Sequence, residues 1–380
     1  MGDRVQARLA VGEIERLIRL LANRGYRIIG PTVRDGAIVY DEIDSLGDLP
    51  QGQTDEQEAG RYRLKPRDDG ALFGYAVGPQ SWKKYLHPAE VKLFEAEQKG
   101  GMFRILNNEA NPLQPSAFLG VRACELAAIG IQDRVLLGGR YRDPINNARR
   151  EGVFVVAVQC TQSAATCFCA SMGTGPEAAG AGADLILTEL VHGNDHWFLA
   201  EAPSERGREV LDELHSQPCS EEDCHAAGAA VQAAASQQTR RMETTGIRDL
   251  LYENFDHPRW DHVAERCLAC ANCTMVCPTC FCTTVEDVTD VPGDRAERWR
   301  RWDSCFTVNF SLIHGGSVRT TGKARYRQWM THKLGSWIDQ FGSSGCVGCG
   351  RCITWCPVGI DITEEAQAIR RAVNHGSTHA

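Results

Sequence analysis

Residues 267–278 read CLACANCTMVCP, and residues 346–357 read CVGCGRCITWCP. The cysteines keep identical intervals: Cys267-x2-Cys270-x2-Cys273-x3-Cys277-Pro278, then Cys346-x2-Cys349-x2-Cys352-x3-Cys356-Pro357. Three thiolates at i, i+3 and i+6 wrap one face of a compact inorganic centre on a tight turn. The fourth opens the following helix and is aimed away from that face, with proline setting its backbone. This part of the chain therefore reads as two similar halves built around bound metal.

The spacing is the run that holds [4Fe–4S] clusters in bacterial two-cluster ferredoxins, where each fourth cysteine ligates the other cluster. On that pattern Cys267, Cys270, Cys273 and Cys356 hold one cluster, and Cys346, Cys349, Cys352 and Cys277 hold the second. Zinc is the rival metal, but its ribbons use paired C-x2-C knuckles, four ligands per ion. A triplet plus a Cys-Pro, twice over, suits zinc badly. The long insertion 283–345 departs from a small ferredoxin. Cys280 and Cys282 in CPTCFC, and Cys305 in WDSCF, are extra ligands or small apolar residues buried beside a cluster. The burial tendency of free cysteine favours the second. Nothing near Cys219 and Cys224 suggests a site.

The chain has 380 residues, enough for two or three domains. Its 43% apolar and 24% charged residues are ordinary for a globular protein. No run approaches the ~20 uninterrupted apolar residues of a membrane span. Residues 1–21 carry charges throughout and lack the apolar core of a secretory signal. Seventeen cysteines without an export signal point to metal ligands in a reducing cytoplasm. A net charge of −8 puts nucleic-acid binders behind.

A polar, alanine-rich helix over 220–241 separates the cysteine-rich end from the rest, and a boundary falls near residue 245. The expected organisation is an α/β or α+β domain at 1–245, then a mostly α-helical, ferredoxin-like two-cluster domain at 246–380. In the first domain, residues 12–24 have the spacing of an amphipathic helix. Strands are expected at 26–29, 37–40, 71–77, 117–121, 153–158 and 184–190. Pro88 reads as a helix start, with a stop at Gly100-Gly101. Residues 44–60 read as a surface loop and 283–298 as polar and turn-rich. Residues 323–341 give a helix whose apolar stripe is a packed core face, and a last helix begins after Asp361 with Glu364 in a capping box.

Four more cysteines fall at strand ends. Cys124 follows one strand and opens a helix, where backbone N–H groups favour a thiolate and an anionic cluster. Cys160 ends another strand, and Cys167 and Cys169 lie on the loop after it. Adjacent strand ends converge on one sheet edge, so the four can meet. A third iron–sulfur cluster, a zinc ion and plain free thiols all remain open there.

These residues, with GVRACELAAI (120–129), CFCASMGTGPE (167–177), RRWDSCF (300–306) and KARYRQWMTHKL (323–334), give nearly the whole chain a family likeness. It resembles the beta subunit of cytoplasmic NAD(P)-linked [NiFe] sulfhydrogenases and, more distantly, an iron–sulfur subunit of anaerobic sulfite reductase. The resemblance implies a non-catalytic electron-transfer subunit. Its partners would be an FAD- and NAD(P)H-binding flavoprotein together with the small and the [NiFe] large subunits of the hydrogenase. It also implies a third [4Fe–4S] cluster on Cys124, Cys160, Cys167 and Cys169.

The chain has no G-x-G-x-x-G after a strand, no P-loop and no nucleophile–base constellation. Gly173-Thr174-Gly175-Pro176 reads as a turn shaping the Cys167–Cys169 loop. Arg295, Arg298, Arg300, Arg301, Arg319, Lys323, Arg325, Arg327 and Lys333, interleaved with Trp299, Trp302 and Trp329, raise a different class: a metal-stabilised nucleic-acid or scaffold protein. Partner docking, or compensation of anionic clusters, explains the same residues without nucleic acid.

Overall fold

A computed structural model describes residues 5–106, 114–178, 182–193 and 195–376. The first four residues of the segment read for a secretory signal lie outside these. The body is an eight-stranded mixed sheet, in spatial order 216–218, 5–10, 195–202, 185–192, 154–158, 116–121, 27–34 and 37–42. Its four central strands run parallel, and antiparallel strands flank them on both sides. The run Phe154–Val158 is apolar throughout because both faces are covered. Phe154, Val156 and Val158 pack with the helix Gly12–Asn23, while Val155 and Ala157 face the side of the helix Ala123–Leu136. Ile14, Leu17, Ile18 and Leu21 bury one stripe of the first helix, each contributing about 1.5–3 kcal/mol of apolar burial.

Four expectations need correction. The helix after Pro88 is a strand, Glu90–Lys99, and Gly100-Gly101 is a hairpin turn leading to Met102–Leu106. Both glycines have positive φ (60° and 79°), as a type I′ turn demands. Residues 71–77 are buried but form no strand. Side chains take over their main-chain groups: Glu189 accepts from Leu72 and Phe73 N–H, and Arg122 donates to the carbonyls of Phe73 and Tyr75. The expected loop at 44–60 contains Gln53–Glu58, which pairs with Arg61–Pro66. The turn-rich stretch is a hairpin, Thr283–Thr289 with Arg295–Trp302.

That second hairpin pairs with Glu90–Lys99, forming a four-stranded arm of residues far apart in sequence. It carries the arginines of the basic run at 295–301, while Lys323 lies outside it on the helix Gly322–Thr331. Arg295 pairs with Glu95, Arg298 with Asp287, Arg300 with Asp143, Arg301 with Glu286, and Lys323 with Asp261. The helical expectations at 220–241 and 323–341 correspond to Glu221–Ser236, and to Gly322–Thr331 continued through a π-turn, His332–Ser336, into Trp337–Phe341. The last helix is Ile362–Gly376, and Asp361 accepts the Thr363 N–H at its start. Among the described residues no helix is long and apolar enough to cross a membrane.

Candidate metal centres

The two cysteine turns have the same local shape. Ala269 and Ala271 in the first, and Gly348 and Gly350 in the second, all have φ between 49° and 76°. These left-handed residues let each turn curl so that its three cysteines face inward. Short helices, Asn272–Met275 and Arg351–Thr354, begin at the end of each turn and stop short of Cys277 and Cys356, so each fourth cysteine follows a helix instead of opening one as expected.

Cys267, Cys270, Cys273 and Cys356 line one cavity, walled by Phe306, Tyr326, Trp329 and Ile360. The stripe expected as plain core at 323–341 thus also supplies this wall. Cys346, Cys349, Cys352 and Cys277 line a second cavity, with Phe168, Pro278, Lys333 and Val347. Each cavity takes its fourth cysteine from the other run, the exchange expected from the spacing. Cys352 stands in both walls, so the two cavities adjoin.

The third group is also brought together. Cys124 lies in the first turn of the helix Ala123–Leu136, and Cys160 lies two residues past the end of the strand Phe154–Val158. Cys124 and Cys169 share an apolar cluster with Cys349 of the second cavity. Burial first, then the neighbouring thiols Cys169 and Cys349, pushes the Cys124 thiol well above its ordinary value. Burial and Cys169 do the same to Cys167. Ionised sulfur in this dry place needs positive charge beside it, as bound iron gives. Gln238 Nε2 donates to Cys169 Sγ at 3.2 Å. A Cβ on Gly175 would meet Cys169 Sγ at 3.2 Å, so the Gly173–Pro176 turn presses on the set.

The loop carrying Cys167 and Cys169 is clamped to the second turn. Phe168 N–H donates to Gly348 O (2.9 Å), and Thr174 Oγ1 donates to Val347 O (2.8 Å). Arg351, fully buried, donates to the carboxylate of Glu125, the residue after Cys124, at 2.5 Å. Glu125 also accepts from Tyr40 Oη and from Trp82 Nε1. Sequence reasoning missed Arg351, Glu125 and Gln238, because each is one polar residue with no motif of its own.

Cys280, Cys282 and Cys305 line neither cavity. Hydrogen bonding with Cys280, and then the Lys333 ammonium, hold the Cys277 thiol well below its ordinary value against the burial that raises it. Hydrogen bonding with Cys305 brings Cys282 down to about 7. Cys219, just after the edge strand 216–218, and Cys224 on the next helix approach to 3.9 Å. Among the described residues no three His, Cys, Asp or Glu side chains draw together tightly enough for one bare ion. The two ferredoxin-type cysteine sets ring cavities instead, a donor set that fits iron–sulfur clusters.

The chain matches the 4Fe-4S dicluster domain family over residues 266–360. It is 33% identical to sulfhydrogenase 2 subunit beta of Pyrococcus furiosus over 353 residues, covering 91% of this chain and 93% of that protein. No solved structure matches it. The chain belongs to the sulfhydrogenase beta-subunit family, and it is an iron–sulfur electron-transfer subunit.

Proposed function

We propose that this subunit is a three-site wire in the cytoplasm, joining an FAD- and NAD(P)H-binding flavoprotein to the small subunit of a [NiFe] hydrogenase and its nickel-bearing partner. Cys267, Cys270, Cys273 and Cys356 would hold an outer [4Fe–4S] cluster. Cys346, Cys349, Cys352 and Cys277 would hold a central one, and Cys124, Cys160, Cys167 and Cys169 an inner one. When bound, such clusters supply one-electron transfer.

The observation that carries the reading is continuity. Cys352 belongs to both ferredoxin-type cavities, and Cys349 packs with Cys124 and Cys169. The protein's own part is to hold the thiolates, keep water out and supply N–H groups to sulfur. Gly348 N donates to Cys346 Sγ at 3.5 Å, and Ile360 N to Cys356 Sγ at 3.3 Å. Cys270 is exposed, which gives the outer set an entry from solvent or from a partner.

The test uses the assembled complex. Cys349→Ser should stop electron flow from NAD(P)H to the hydrogenase site. It should spare dye reduction by the flavoprotein and isotope exchange at nickel, since neither half-reaction needs this chain. Copurified partners of another kind, such as those of a sulfite reductase, would redirect the assignment. An unimpaired overall rate would end it.

A further inference from the structure

We propose that Lys333 sets the reduction potential of the central cluster and holds it above that of the outer one. The inference rests on the central cysteine set being a cluster site. Lys333 sits on the π-turn His332–Ser336, a departure from α-helix that recurs at functional positions. It is only 4% exposed. Its Nζ donates to Cys277 Sγ at 3.3 Å, to Thr279 Oγ1 at 3.1 Å and to Gly345 O at 3.1 Å.

Hydrogen-bond counting fixes its charge. Thr279 directs its own hydroxyl hydrogen to Gly345 O at 2.6 Å, so at Lys333 it can only accept. The Gly345 carbonyl can only accept, and a ligand sulfur has no hydrogen to give. Three acceptors require three N–H groups, and only an ammonium has them. None of the three partners is a carboxylate, whereas the insertion's Arg295, Arg298, Arg300 and Arg301 are spent on acidic partners.

The equivalent sulfur of the outer set is treated differently. Cys356 Sγ accepts from the backbone N–H of Ile360, a neutral donor. Each added electron makes a thiolate-bound cluster more negative. A buried cation bonded to one of its sulfurs stabilises the reduced state more than a neutral amide does. A second buried lysine, Lys83, spends its hydrogen bonds on the carbonyls of Cys280 and Met275, not on sulfur.

The test is a potentiometric titration followed by electron paramagnetic resonance on the anaerobic full-length chain, with iron counted in each sample. Lys333→Met should keep its iron and shift one cluster at least tenfold toward the oxidised form, about 59 mV more negative for one electron. The shifted signal should be the one that Cys277→Ser alters. Lys333→Arg, which keeps the charge, should stay closer to the native value. Unchanged midpoints in Lys333→Met would overturn the proposal. So would loss of that cluster's iron from both variants, since the lysine would then be structural. A native protein without iron would instead bring down the ligand assignment on which the proposal stands, a separate and recognisable failure.

Discussion

The turns 267–273 and 346–352 carry cysteines at the same spacing and left-handed residues at the same places, yet one uses alanine and the other glycine. Their surroundings account for it. The first turn faces outward, with Leu268 64% exposed and Cys270 exposed. Alanine tolerates the left-handed shape there at a cost of roughly 1–2 kcal/mol per residue. The second turn lies under the loop that carries Cys167 and Cys169. A Cβ on Gly348 would stand 2.6 Å from Cys169 N, and one on Gly350 2.5 Å from Thr166 O. Glycine is therefore needed twice over, for its φ and for the close approach of main chain. The spacing of the cysteines sets the shape of each turn. The residues between them record whether that turn is an end of the protein or its middle.

The same contrast extends to the residue that opens the short helix after each turn, and it predicts the largest effect. Arg351 in the second run is fully buried against Glu125, while Asn272 in the first donates to Trp355 O at 3.3 Å in an exposed setting. Glu125→Ala leaves the guanidinium buried with the carbonyls of Gly78 and Gln80 but no counter-charge, and should cost about 3–5 kcal/mol. Asn272→Ala should cost under about 0.5 kcal/mol. Denaturant unfolding of the two variants side by side checks this, and equal losses would break the comparison.

A smaller effect is expected at the next pair of positions. Gly350→Ala forces the Thr166 main chain away and should cost about 1–3 kcal/mol, with iron lost from the inner and central sets. Ala271→Gly changes the matching position of the outer turn and should leave the iron content alone, with a stability change within about 1 kcal/mol. If Gly350→Ala kept its iron and its stability, close approach would not be what distinguishes the two turns.

The cysteine pattern was legible because it is local. Spacing within a dozen residues fixes the turn, and crossed sets follow from two copies of it. The body strands were legible for a similar reason, since Phe154–Val158 can be buried on both faces whatever its neighbours are. The arm was not. Residues 90–99 pair with 295–301 across some two hundred positions, and no nearby signal announces the partner. Gly100-Gly101 ends a helix or turns a hairpin equally well, and only the pairing decides. Residues 71–77 look like a strand because they are buried, but their hydrogen bonds go to Glu189 and Arg122, which sequence cannot bring near. Lys333 was hidden in a basic run whose other members are mostly paired on the arm and surface. What sets it apart is the sulfur it touches.

The most direct test of the wire is a count of iron and acid-labile sulfide in the anaerobically purified chain. Three four-iron sites predict about twelve of each per chain. About eight irons, with Cys124 and Cys160 open to alkylation, would remove the inner site and cut the wire short at that end. Zinc in place of iron would contradict the account altogether.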